Sequence, residues 1–99
     1  MDNESFIEDK VRKLVPEVCK ITKDKVHQDA YNFILYPYPN QPYKIDGKEK
    51  FTACSVCFSR SEIMLANPED IGAMVEQRVN AALKQAENHH NNMLALHKD

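Results

Sequence analysis

The sequence predicts an α+β protein: an N-terminal helix kinked or broken near Pro16, a small antiparallel sheet of three or four strands, and a long C-terminal helix. Three observations predict it. Apolar residues recur at helical spacing near the N-terminus, β-formers and turn residues concentrate in the middle, and from Asn67 onward the chain holds strong helix formers with no proline after Pro68. The division expected is residues 1–30 helical, 31–66 sheet and 67–98 long helix, within one domain.

Ser5 and Glu8 have capping-box spacing, a serine N-cap with a glutamate three residues on. Ile7, Val11, Leu14, Val18 and Ile21 follow at intervals of 4, 3, 4 and 3. Pro16 interrupts that run, because proline removes one hydrogen bond and disfavours helical geometry at Val15. Tyr31 to Tyr36 is dense in β-formers, and Pro37, Pro39 and Pro42 close it. Asp46-Gly47 between two short β-prone runs is a hairpin signal. From Lys50 to Phe58 the residues alternate: Thr52, Cys54, Val56 and Phe58 share one face, Phe51, Ala53, Ser55 and Cys57 the other. Ser59 to Ser61 reads as a turn or bulge, and Ile63 to Leu65 as a last strand.

The long helix has a marked start, with Asn67 as N-cap, Pro68 in its first turn, and Glu69 and Asp70 against the positive end of its dipole. Val75, Val79, Ala82, Ala86, His89, Met93 and Leu96 then recur at 4, 3, 4, 3, 4 and 3. Strict alternation of that kind is the seam of a helix packed lengthwise on another. About 31 residues at ~1.5 Å each make a rod of roughly 46 Å. A compact domain of about 100 residues is only about 34 Å across. Either the rod breaks near Asn88–Asn92, or its apolar end packs on a second copy or on another protein. A homodimer through these seven residues is the expectation.

Composition bounds the function classes. At 42% hydrophobic and 28% charged residues the chain is ordinary globular material, and a net charge of −2 argues against bulk nucleic acid as the partner. Lys10, Arg12, Lys13, Lys20, Lys23 and Lys25 are interleaved with acids, the pattern of a solvated face. No apolar run is long enough to span a membrane. Three cysteines, an odd count without a secretory pattern, point to a reducing cytoplasmic setting.

Cys54 and Cys57 form a C-x-x-C, but on a strand they face opposite sides, and no second cysteine pair is present to complete a zinc site. They are expected as buried, reduced thiols, with a zinc or redox module as an alternative. Neighbouring His89 and His90 diverge by about 100° on a helix and chelate one metal poorly. With two glycines no phosphate loop is available, and no Ser/His/Asp or Cys/His constellation stands out. No catalytic, cofactor or metal residue is therefore expected. The tyrosine–proline stretch around Tyr36, Tyr38 and Tyr43, together with Arg60, is the expected patch for another protein. A second alternative is a small-ligand or nucleotide pocket at an oligomer interface, using Arg60, Ser59, Ser61 and the tyrosines. In size and charge the chain resembles small accessory and inhibitor proteins of bacteria and their viruses, a resemblance of build alone.

Overall fold

The computed structural model describes residues 3–24 and 29–97. In chain order these form α1 (Asn3–Leu14), β1 (Lys20–Asp24), β2 (Ala30–Tyr36), β3 (Tyr43–Ile45), β4 (Lys48–Lys50), β5 (Cys54–Ser59), α2 (Arg60–Leu65) and α3 (Pro68–Leu96). Strands β1, β2 and β5 make one antiparallel sheet with β2 in the centre; β3 and β4 make a separate hairpin. The α+β architecture follows. Lys25 and Lys98, the expected last helical residue, lie outside the described residues.

α1 starts upstream of the expected cap. Ser5 is inside the helix, and Glu8 is not a capping residue; its carboxylate reaches Lys23 of β1 at 2.8 Å and Arg12 at 3.3 Å. α1 buries Ile7 and Val11 and stops at Leu14, ahead of Pro16, whose carbonyl accepts from the Cys19 amide at 3.0 Å. Beyond that turn the chain is a strand, not a continued helix. β1 carries one aliphatic residue among charged ones, which hides it from a hydrophobic count. Its register, Ile21 opposite Leu35 and Lys23 opposite Phe33, puts Lys23 on the helix side of the sheet, where Glu8 and Glu4 of α1 meet it. A charge turned inward on an edge strand blunts that edge against further pairing.

The alternation expected for β5 holds. Thr52, Val56 and Phe58 are buried and Cys54 half-buried, while Phe51, Ala53, Ser55 and Cys57 are exposed. With Phe33 and Leu35 of β2, this face packs on α1 and α3 around Ile7, Val11, Ile63, Ile71, Val75, Val79 and Ala82. The opposite face of the sheet, with Lys20, Thr22, Ile34, Tyr36, Ser55 and Cys57, has none of the described helices over it. The β3–β4 loop takes positive φ at both Asp46 (53°) and Gly47 (79°), with Ile45 paired to Lys48, the backbone of a type I′ turn.

The expected strand at Ile63–Leu65 is a helix. Ser59 caps α2 with a complete capping box: the Glu62 amide donates to Ser59 Oγ at 3.1 Å and the Ser59 amide to Glu62 Oε2 at 2.8 Å. Four residues at Ser-x-x-Glu spacing outweigh the β-propensity of one isoleucine. At α3, Asn67 holds the N-cap position but bonds no helix amide; its side-chain amide donates to Asp70 at 3.5 Å.

α3 is unbroken, and at 29 residues it is about 44 Å long. The molecule is drawn out to match, 49 × 24 × 19 Å with a radius of gyration of 15.1 Å. α1 and the sheet cover the first half of the rod. The chain between β2 and β5 runs out along the second half.

Candidate functional site

That excursion, residues 37–53, is fastened to the end of α3 by a cluster centred on His90. His90 is 2% exposed and Thr52 1%. Thr52 Oγ1 and His90 Nδ1 are 2.7 Å apart, and His90 Nε2 is 3.1 Å from Gln41 Oε1. Because the Gln41 oxygen only accepts, His90 donates from Nε2 and its Nδ1 accepts the Thr52 hydroxyl proton. The Tyr38 ring stacks on the imidazole, with centroids 4.1 Å apart and planes 8° from parallel. Tyr43 tilts against His90 at 6.5 Å and stacks on His97 at 6.2 Å. Burial, then the neighbouring His89, lowers the His90 pKa from its ordinary value, favouring the neutral ring.

A threonine hydroxyl on a histidine resembles a nucleophile with its base. Here both are sealed under Tyr38 and Tyr43, out of reach of a substrate. The pair works as a fastening.

Two open apolar clefts lie outside the fastening and share Pro39. One, of about 220 Å³, is lined by Lys20, Tyr36, Pro39 and Phe51. The other, of about 300 Å³, lies between Pro16 and Val18 on one side and the 37–41 turn on the other. Phe51 at 43% and Val18 at 49% are exposed well beyond what their size favours. Among the described residues lining the two clefts, Lys20 is the one charged side chain, and no acid joins it. It stands opposite Tyr36 on the sheet face that none of the described helices covers.

The expected partner-binding residues are thus divided. Tyr36 lines one cleft. Tyr38 borders the other while its ring covers His90. Tyr43 is buried between His90 and His97. Arg60 is elsewhere, with its guanidinium 5.0 Å over the Tyr31 ring, and Tyr31 is about 17 Å along β2 from Tyr36. The Ser59–Ser61 turn holds an anion of its own, the Glu62 carboxylate, which Arg78 of α3 grips through Nη1 at 2.9 Å and Nη2 at 2.6 Å. Arg78, then the Ser59 amide, hold the Glu62 pKa down to about 2. Arg78 also donates to the Cys57 carbonyl at 2.9 Å and covers the Phe58 ring at 5.3 Å, tying α3 to the β5 edge.

Of the seven expected seam residues, Val75, Val79, Ala82 and Ala86 lie inside the chain's own packing, Met93 is half-buried, and His89 and Leu96 are exposed. The buried stripe runs Val75, Val79, Ala82, Ala86, His90. A strict heptad drifts ~20° per repeat on a straight helix. This stripe turns the other way, because its second half faces the 37–53 excursion and not the sheet. Thr52, Gln41, His90, Phe51 and Lys20 were not marked by sequence. The available signal was Thr52 on the inward face of its strand, since a buried hydroxyl needs a partner.

Cys54 is half-buried, but Cys57 is exposed, contrary to the expectation for both. Burial raises the Cys54 pKa to about 11, and the Cys19 pKa is raised for the same reason. Among the described residues no group of three or more metal-ligating side chains comes together, and no helix is long and apolar enough to cross a membrane. No family profile, curated protein or solved structure matches this chain.

Proposed function

We propose that this chain is a non-enzymatic protein-binding module, and that its paired clefts take an extended segment of another protein. The observation that carries this is Phe51 and Val18 standing exposed over two adjoining apolar clefts on a backbone pinned from beneath by His90. The occupant has apolar or aromatic side chains for the clefts and a carboxylate for Lys20, which has none of its own there. Open clefts of this size fit single side chains better than an enclosed small molecule. A pinned backbone loses little freedom on binding, so contact energy is kept as affinity. Free thiols at Cys19, Cys54 and Cys57 suit a reducing, intracellular setting.

In this reading the partner sits at the clefts and not along α3. A specific interface buries at least about 1,200 Å² in total. With the first four seam residues inside the chain, a dimer through α3 has Leu96, 73% exposed, and the half-buried Met93 and Leu94 to work with. Light scattering of the free protein is expected to give the mass of one chain, 11.4 kDa.

Selection from a displayed library of random linear peptides tests the reading. Enriched sequences should pair an aromatic or aliphatic residue with Asp or Glu, and bind Phe51→Ala or Lys20→Glu about tenfold more weakly (~1.4 kcal/mol). Peptides indifferent to both changes, or no enrichment over a control protein, overturn it.

A further inference from the structure

We infer that residues 37–53 form a strap latched to α3 by neutral His90, and that a proton on His90 opens the latch. The strap carries Tyr38, Pro39, Gln41 and Phe51 of the clefts, so the inference rests on the proposed binding reading for its consequence, though not for its mechanism. Away from the strap the chain is anchored differently: β5 by the sheet and Arg78, α1 by Ile7, Val11 and the Lys23 ion pairs. The second half of the rod has the His90 cluster instead.

The hydrogen-bond polarity supplies the switch. Neutral His90 donates to Gln41 and accepts from Thr52, and among the described residues no buried side-chain polar atom lacks a partner. A proton on Nδ1 converts that acceptor into a donor. The Thr52 hydroxyl must then turn to accept, leaving its own hydrogen unpaired in a site from which water is excluded. An unpaired buried donor is costly, and a buried charge without a counter-ion costs more.

The titratable groups facing the imidazole do not offset this. From α3 comes His89, whose charge opposes a second one, with His97 just past the helix end; from the strap come Tyr38 and Tyr43. Glu87 of α3 and Cys54 of β5 act on the Tyr38 hydroxyl and not on the imidazole. No described carboxylate is bonded or ion-paired to it. Stacking of Tyr38 on an imidazolium is favourable, but it replaces neither the water nor the lost acceptor. The sign agrees: with a folded pKa below the ordinary 6.5, the latch is intact above pH 6.5 and lost as pH falls through the folded value.

NMR of the full chain between pH 7.5 and 5 tests this without any partner. The His90 ring resonances give its midpoint, and amide protection factors of residues 43–50 report the strap. The expected result is a midpoint below 6.5 and a fall of about tenfold in strap protection across it, one proton's worth of linkage per pH unit. Protection at Phe33 and Val56 should stay level over the same range, and His89→Gln should change nothing. In His90→Gln the transition disappears. Should that variant not fold, the shared midpoint of ring and strap in the wild type still decides. A His90 titration that leaves strap protection unchanged overturns the latch, as does a strap transition that survives in His90→Gln. If the latch titrates and no peptide binds at any pH, the cleft reading fails alone. If peptides bind through Phe51 equally at pH 7.5 and 5, the latch fails alone.

Discussion

Thr52→Val is the cleanest probe of the fastening, because valine keeps the shape and removes only the hydroxyl. With valine at 52, His90 Nδ1 becomes a buried acceptor with no donor, since the other ring nitrogen is committed to Gln41. Orphaning a buried polar group costs about 1–3 kcal/mol, and the relief of no longer burying the hydroxyl brings the net toward about 1–2 kcal/mol. For a chain of this size that lowers Tm by roughly 5–15 °C. His90→Phe alone leaves the Thr52 hydroxyl unpaired, while the double variant leaves neither member of that pair orphaned. Exposed Gln41 loses its donor to solvent in both, so that loss cancels in the cycle. A double-mutant cycle at pH 7.5, read by urea unfolding, should therefore show the pair of changes costing at least about 1 kcal/mol less than the sum of the singles. Additive singles, or a Thr52→Val protein within about 0.3 kcal/mol of wild type, would refute the assignment of donor and acceptor here.

Three further outcomes follow from the packing. His89→Ala should change stability by less than about 0.5 kcal/mol, because that side chain is exposed, whereas His90→Ala should lose about 2 kcal/mol or more; thermal unfolding of the two variants separates a stripe through position 90 from one through 89. Glu62, held down to about 2 from 4.5, stabilises the fold fully above pH 4.5 and loses that contribution as pH falls toward 2. Its side chain is about a third exposed, so solvent screening leaves roughly 1 kcal/mol, and Glu62→Gln should flatten acid unfolding curves by that amount. Iodoacetamide at pH 8 should modify Cys57 first and half-buried Cys54 and Cys19 far more slowly, as mass spectrometry of timed quenches would show; equal rates would contradict the packing.

β2, the Asp46-Gly47 hairpin and the inward face of β5 were readable because each depends on local backbone preference and a two-residue period. The α2 helix was readable in principle, from Ser59 and Glu62, but a three-residue apolar run hid it. β1 was not, since Lys-Ile-Thr-Lys-Asp is a strand only by virtue of β2 beside it and of Glu8 receiving Lys23. Of the residues lining the clefts, the sequence had singled out Tyr36 and Tyr38; Tyr43, singled out with them, is interior. Val18 and Lys20 lie just ahead of and at the start of β1, Phe51 just ahead of β5, and nothing in either local sequence says that the two stretches meet.

By itself the sequence determined the α+β class, the start and length of the long helix and the turn chemistry, all of which rest on interactions among residues a few positions apart. Only the tertiary structure decided what covers that helix. A seam drawn from heptad spacing presupposes a partner helix, yet a straight rod can be covered by different layers along its length. Here a sheet takes the first half and a looped strap the second, which moves the buried position from His89 to His90. That one-residue displacement turns the face by about 100°, and with it a solvent-facing histidine gives way to the buried centre of the site.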